Sequence, residues 1–226
     1  MEHREVLKFP VGIRNGEPFF TELGPIVHLL IAGGPTVARE KILSGILTAA
    51  EAAEDLTTQV FDLALPPGDE KAELGRIAEQ LEKMVEILEA RYKKLAEESM
   101  LHLHEYRNAG HNDLPFILIC LKNADQANWK DCQRLRKALL PLLAKGRTAG
   151  IHIVASVSDA ASAFVSDMYF QFPGQLLFRI PEKDSRFPGA ERVAENEMLY
   201  LYYITKTGKH GRLDIKRESV TLTLPQ

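Results

Sequence analysis

The stretch Leu114-Pro115-Phe116-Ile117-Leu118-Ile119-Cys120-Leu121 constrains this chain most, because its side chains are apolar at successive positions and not at alternate ones. A strand built from it is apolar on both faces and must be covered on both, which a sheet between two helical layers achieves. Ile151-His152-Ile153-Val154-Ala155 and Val27-His28-Leu29-Leu30-Ile31-Ala32 repeat the pattern, and Gln59–Ala64 and Leu176–Ile180 add two further stretches. Segments of helical period lie between them. Ala38–Ala53 sets Ile42, Ile46 and Leu47 on one face, and residues 130–145 read as helix. The strongest period runs over 70–98, where Leu74, Ile77, Leu81, Met84 and Leu88 recur at three- or four-residue steps, with Leu95 further on. Glu79/Lys83 and Glu89/Lys93 stand at i,i+4 along that helix, in the favourable order. The stripe falls short of four heptads, so a helix packed on its own domain is favoured over a free coiled coil. Apolar strands alternating with helices predict one α/β domain over 1–226, with a mostly parallel sheet flanked by helices.

Both ends of the chain add β structure. Asn15-Gly16 sits between apolar positions and predicts a hairpin over about 4–24. A core over about 25–205 follows. Met198–Ile204 then turns at Gly208 towards Leu213-Asp214-Ile215, which places C-terminal strands over about 197–224. With 226 residues, 45% of them hydrophobic, the chain can bury a core without staples. Its two cysteines, Cys120 and Cys132, make no disulfide framework and point to a reducing, cytoplasmic setting. No apolar run approaches the ~18–20 residues of a membrane span, and the first residues lack the apolar core of a signal peptide. Twenty-eight Lys+Arg against 31 Asp+Glu give a formal charge of -3, which argues against coating nucleic acid by bulk charge. That sum hides an acidic helix near 70–98 and a basic stretch over 130–147.

His28-Leu29-Leu30-Ile31-Ala32-Gly33 followed by a helix resembles the phosphate-loop strand and turn of the FtsK/SpoIIIE family of DNA-translocating motors. Other segments fall in the same order. Gly12–Leu23, with Gly16-Glu17-Pro18, resembles the family's entry strands. Arg91-Tyr92-Lys93-Lys94-Leu95 resembles its Arg-Tyr helix, and Glu105-Tyr106-Arg107 stands where the family often has Tyr-Asn. Leu114–Ile119 resembles its second catalytic strand, and Ala144–Val154, through Lys145-Gly146-Arg147-Thr148-Ala149-Gly150, is the closest match. Asp184-Ser185-Arg186 and Glu197-Met198-Leu199-Tyr200 resemble its late motifs. The resemblance spans about residues 11–203 and implies a RecA-like P-loop NTPase fold. It further implies a nucleotide site, partner motor domains in a homo- or hetero-oligomer, and a place in a machine acting on double-stranded DNA, with no membrane contact from this segment itself. Type VII protein-secretion motors resemble the same family, so a secretion machine, itself membrane-associated, is a second context. The chain reads as a piece of a longer motor or as a specialised relative of one.

The chemistry of such a site is degraded in this sequence. The pattern GxxxxGK[ST] supplies close backbone approach, N–H groups around phosphate, a lysine and a Mg²⁺-binding hydroxyl. Here its eight positions read Gly33-Gly34-Pro35-Thr36-Val37-Ala38-Arg39-Glu40. Ala38 replaces the second glycine, Arg39 keeps only the charge of the lysine, and Glu40 replaces the hydroxyl. The family's Mg²⁺-binding Asp and catalytic Glu fall on Lys122 and Asn123, neither of which can take those roles. Ala155 is followed by Ser156-Val157-Ser158 in place of the family's γ-phosphate sensor. Removing one essential transition-state group costs about 10²–10³-fold in rate, so three losses predict a pseudo-ATPase with no catalytic residues. On this reading the domain needs no cofactor, ATP and Mg²⁺ entering only if the loop still binds, and it serves as an assembly or regulatory module. A nucleotide-binding, weakly hydrolysing translocase is the alternative that Gly33 and Arg39 keep open.

Other candidates carry weaker signals. Arg147 and Arg186 survive in retained motifs and could be lent to a partner's phosphates, as arginines are in such rings, or could form ion pairs within the domain. Lys130, Arg134, Arg136, Lys137 and Lys145 form a basic face that suits phosphates or simply solvent. His102, His104 and His111 with Glu105 match no standard zinc spacing and read as a polar loop.

Overall fold

The computed structural model describes residues 7–66, 68–127, 129, 132–180, 186–207 and 213–224. Val6, Pro67, Lys130, Asp184, Ser185 and the turn at Gly208 lie outside the described residues. β1 (Lys8–Arg14) and β2 (Glu17–Glu22) form the expected hairpin, with Asn15 and Gly16 both at positive φ in the turn. The short helix α1 (Leu23–Ile26), not anticipated, leads into β3 (Leu29–Ala32) and α2 (Thr36–Glu51). β4 (Leu56–Asp62), α3 (Glu70–Glu97), α4 (Leu103–Asn108) and β5 (Phe116–Lys122) follow. The chain then runs through α5 (Gln133–Lys145), β6 (Ile151–Val157), α6 (Ala163–Met168), β7 (Gly174–Leu177), β8 (Glu197–Thr207) and β9 (Leu213–Thr223).

The strands form one nine-stranded sheet in the order β2-β1-β9-β8-β7-β3-β6-β5-β4. β7, β3, β6, β5 and β4 are mutually parallel, so the sheet is parallel in its core. The remaining four strands pair antiparallel, and β9 passes between β8 and β1 to join the N-terminal hairpin to the core. Alternation divides each buried strand between two cores. Leu30, Ile119 and Ile153 face the layer of α3, α5 and α6, while Leu29, Leu118 and Val154 face that of α1, α2 and α4. The α3 stripe Ile77, Leu81, Met84, Leu88 and Leu95 is buried as its period predicts.

Two local expectations need correction. Glu79 pairs with Lys83 at 3.0 Å as expected, but Lys93 sits nearest Glu97 (3.9 Å) and Glu89 nearest Lys145 of α5 (3.7 Å). Packing of α5 on α3 brings a new cation to Glu89, and a tertiary neighbour replaces the helical one. Of the histidine segment, expected as a polar loop, His104 lies within helix α4, while His102 precedes the helix and His111 follows it. Buried Leu103, Tyr106 and Arg107 fix α4 against β5, and the Leu103 N–H donates to the Thr148 carbonyl at 2.9 Å.

Candidate nucleotide site at the carboxyl end of the parallel strands

In parallel α/β sheets the carboxyl ends of the strands and the helix N-termini beside them form the ligand-binding edge. Ala32, Asp62, Lys122, Val157 and Leu177 end their strands on this edge. After Ala32 the turn to α2 contains only Gly33, Gly34 and Pro35, because α2 begins at Thr36. Positions 36–40, which the pattern needs partly as loop, are already helix. Ala38 is therefore buried in α2 in a helical conformation, and the positive φ angles fall on Gly33 (79°) and Gly34 (69°). The missing second glycine is thus a consequence of a shorter turn.

Packing explains the glycine at 34. A Cβ there would overlap the Phe178 ring, whose own Cβ lies only 2.7 Å from that position, while φ is already left-handed. The Phe178 N–H donates to the Ala32 carbonyl at 2.9 Å, which holds the ring under the turn. The Gly33 N–H donates to the Val157 carbonyl at 3.0 Å, and Pro35 has no N–H.

Arg39 is only 2% exposed and turns back beneath the loop. Nη1 donates to the Gly33 carbonyl at 3.0 Å and the Gly34 carbonyl at 2.6 Å, and Nη2 donates to Thr36 Oγ1 at 3.2 Å. Burial lowers its pKa below the ordinary arginine value, opposed by the charges of Asp125 and Glu40. A phosphate loop directs N–H groups inward at an anion, whereas this turn directs two carbonyls inward at a cation. Glu40 is exposed on the first turns of α2.

The end of β5 is organised around Asp62 of β4. Lys122 Nζ lies 3.3 Å from Asp62 Oδ2, and Asn123 Nδ2 donates to Asp62 Oδ1 at 2.8 Å. Burial pushes the Asp62 carboxyl up, but the bonds from Asn123, the Ala64 amide and Lys122 outweigh it and hold its pKa below the usual value. Asn123 takes the left-handed conformation (φ 52°), which Asn tolerates, and its N–H donates to Ser156 Oγ at 3.2 Å. The residue in the sensor segment therefore serves the β5 turn. Beyond it, Asp125 accepts from the Ser158 hydroxyl and the Asp159 N–H. Asp62 escaped the sequence reading; its only signal was an acid closing a strand whose neighbour was not yet known.

The turn thus points carbonyl oxygens inward at a guanidinium, and the end of β5 presents an ammonium and an amide to Asp62. Among the described residues no group of three or more His, Cys, Asp or Glu side chains is placed to hold a metal ion. A cleft of about 220 Å³ nearby is lined by Leu63, Leu65, Glu70, Leu74, Gln126 and Ala127.

The remaining candidates separate in space. Arg147 is exposed before β6, at the opposite end of a seven-residue strand and so about 20 Å from the turn. Arg186 lies against its own domain, donating to Ser166 Oγ at 3.2 Å and the Ala160 carbonyl at 3.1 Å and covering the Tyr169 and Phe187 rings. On α5, Arg134 makes two bonds to Glu82 (2.7 and 2.6 Å), Arg136 pairs with Asp167 at 2.9 Å, and Lys145 faces Glu89. Lys137 is exposed, and Lys130 lies outside the described residues. The basic stretch is therefore largely matched by carboxylates of α3 and α6.

The strand order and the strand–turn–helix connections give this chain the fold of solved secretion and conjugation ATPase domains. The cytoplasmic domain of the type VII secretion ATPase EccC from Thermomonospora curvata shares it with a TM-score of 0.74 at 13% identity, over 99% of this chain and 29% of that one. The pCW3 conjugation coupling protein TcpA, in a monomer form with ATPγS, gives 0.65 at 17% identity over 99% of this chain and 66% of its own. EssC ATPases 2 and 3 from Geobacillus thermodenitrificans give 0.61 at 15%, over 97% of this chain and 44% of that one. This chain therefore spans under a third of the EccC chain, and at these identities the likeness is one of fold. No protein-family model and no curated protein matches the sequence. Among the described residues no helix is long and apolar enough to cross a membrane.

Proposed function

We propose that this chain is a FtsK/SpoIIIE-family motor domain that has lost ATP hydrolysis and works as an assembly or regulatory module of a translocation machine. The observation that carries the reading is Arg39. Its guanidinium bonds the carbonyls of Gly33 and Gly34 from inside a three-residue turn, so the space and polarity that a phosphate requires are taken by the protein itself. Lys122 and Asn123, both held by Asp62, remove metal support and water activation at the second strand. What remains is a complete motor-like scaffold whose contacts with other motor domains, in a cytoplasmic assembly, are its use. Exposed Arg147 is the better placed of the two arginines to reach a neighbouring subunit, because Arg186 is engaged in its own domain.

Calorimetric titration with ATP, with and without Mg²⁺, tests this reading. The expected result is no binding heat at millimolar nucleotide. Micromolar binding, or hydrolysis at motor-like rates undiminished in Arg39→Ala, overturns it and restores the weakly hydrolysing translocase.

A protein-secretion context is the second reading, and the fold comparison favours it. The EccC domain superposes over the whole chain with a higher score than the conjugation protein TcpA, and the α5 cations that would hold DNA are matched by carboxylates. Duplex-DNA binding that weakens steeply with salt would return the DNA machine to first place.

A further inference from the structure

His28 and His152 are 1% and 2% exposed and lie at the amino end of the central strands, away from the nucleotide-like turn. Each ties the other's strand. The Ile153 N–H of β6 donates to His28 Nδ1 at 3.0 Å, so His28 carries its proton on Nε2, which donates to the Leu143 carbonyl of α5 at 3.0 Å. His152 Nδ1 in turn donates to the Val27 carbonyl, just before β3, at 2.8 Å. Val27 is held at φ 63°, ψ -65°, where the His28 N–H reaches back to the Ile26 carbonyl at 2.7 Å. That is the tight three-residue turn that costs strain in any residue and most in a β-branched one. The histidines thus fasten a strained link, and the link joins the β1–β2 hairpin and α1 to the parallel core.

Neither ring can accept a second proton without loss. Protonating His28 on Nδ1 destroys the bond from Ile153. Protonating His152 on Nε2 creates a buried N–H where the structure gives that atom no partner. The titratable and charged groups acting on the pair are each other, His104 of α4 and Arg147 before β6, all cations or potential cations. Phe172 and Phe116 supply the neighbouring rings, at 6.2 and 6.1 Å. Burial first, then His152, holds His28 down at about 3. Burial likewise lowers His152 to about 4, against the bond to Val27 and with help from His104 and Arg147.

We propose that this reciprocal histidine clasp is an acid-operated latch, whose release frees the Val27 turn and lets the N-terminal hairpin and α1 detach from the parallel core while the rest of the sheet stays folded. The sign follows from linkage. Both imidazoles are neutral when the clasp is closed and take up a proton with ordinary pKa when it is open, so closure is complete above about pH 6.5 and weakens as pH falls towards 4. Each histidine raises the opening constant by up to about tenfold per pH unit in that window, and both together by about a hundredfold.

Amide hydrogen exchange between pH 6.5 and 4.5, corrected for intrinsic rate, tests the latch. Amides over 7–28 should lose protection with this steep slope while those of β5 stay protected. In His152→Asn, whose amide can donate to Val27 without titrating, the slope should fall to about tenfold per unit. Equal slopes in the two proteins, or loss of β5 protection in step with 7–28, overturns the proposal. Should His152→Asn not fold, imidazole titration by NMR in the unmodified protein decides. Rings still neutral in the folded protein at pH 5 uphold the latch, and rings titrating near 6.5 overturn it.

Discussion

At the carboxyl end of the parallel strands the polar side chains sit half in solvent and bond to one another, whereas at the amino end they are buried and bond to backbone carbonyls. Asp62, Lys122 and Asn123 make a closed cluster at the first end. At the second, buried Arg91 donates to the Ala149 and Pro115 carbonyls at 2.7 Å each, and His28 and His152 cross-link β3, β6 and α5. The segment that resembles the motor family most closely, Ala144–Val154, supplies the amino end together with the resembling segment Arg91–Leu95. The segments that depart from it supply the carboxyl end. The difference teaches that the matching residues keep the scaffold, while the departures fall where a motor would do chemistry. Arg39 belongs with the amino end in this respect, since it is a buried guanidinium answering carbonyls.

Glycine substitutions press hardest on this contrast. Gly150 has φ 69°, and a Cβ there would overlap Leu103 and lie 2.9 Å from Phe116 Cδ1. Gly150→Ala should destabilise the domain by about 3 kcal/mol or more, combining left-handed strain with overpacking. Gly34→Ala meets the Phe178 ring in the same backbone region, and an equal loss in the denaturation midpoint is expected. If Gly34→Ala leaves stability unchanged yet abolishes a nucleotide signal, the carboxyl end is a functional loop after all and the contrast fails.

Arg91→Met comes next. It leaves the Ala149 and Pro115 carbonyls without their donor at the base of β5 and β6, and about 2–3 kcal/mol should be lost. The side chain of Met fills much of the stem volume, so the loss measures the bonds more than a cavity. Arg91 is buried, and that burial, and then Arg107, lower its pKa to about 10. A midpoint within error of the parent would mean that the amino end is not held by its buried cations.

Much of this division was legible in the sequence. Unbroken apolar runs such as Leu114–Leu121 required a doubly covered sheet, and the Leu74–Leu95 stripe required the long helix packed on it. Lys122, Asn123, Ala38 and Glu40 carried the expectation of a pseudo-ATPase, because none of them is the residue that the phosphate-loop pattern or the resembling family has there. How these residues are held was not legible. The partnership of Asp62 with Lys122 and Asn123 needs β4 beside β5, and strand order is a property of the folded sheet, not of spacing. Arg39 read as a surviving phosphate cation because its charge is visible in the sequence and its inward rotamer is not. The α5 cations read as a basic face for the same reason, since Glu82, Glu89 and Asp167 reach them only through packing. The helix α4 was missed because its signal, Leu103 and Tyr106 on one short turn, is weaker than the polarity around it.

Asn123→Asp tests whether the cluster around Asp62 is structural or a step away from catalysis. The new carboxylate would replace the 2.8 Å bond to Asp62 by a like-charge contact. At pH 7 it should cost less than about 1 kcal/mol, because Asp62 is nearly half exposed and solvent screens the pair. The cost should vanish as pH falls below about 4, when one carboxyl of the pair takes a proton. ATP hydrolysis should not appear, because Lys122 still repels Mg²⁺. Measurable turnover in this variant would make the carboxyl end a site one residue short of activity.

The smallest effect is expected on the α3–α5 surface, where Arg134 makes its two bonds to Glu82 with both side chains about half exposed. Bonds of this kind exchange water for protein at little gain and are screened by salt. Arg134→Ala, Glu82→Ala and the double variant should all unfold at the parent's midpoint within error, and raising the salt should change nothing. The same variants sharpen the functional side of the comparison. Glu82→Ala releases Arg134 and makes the α5 face more basic. If affinity for duplex DNA then appears where the parent has none, the carboxylates of α3 are what keep this face from phosphate. If none appears, the α5 cations serve the helix pair alone, and the domain's partners must be sought at other surfaces, with exposed Arg147 the first residue to alter.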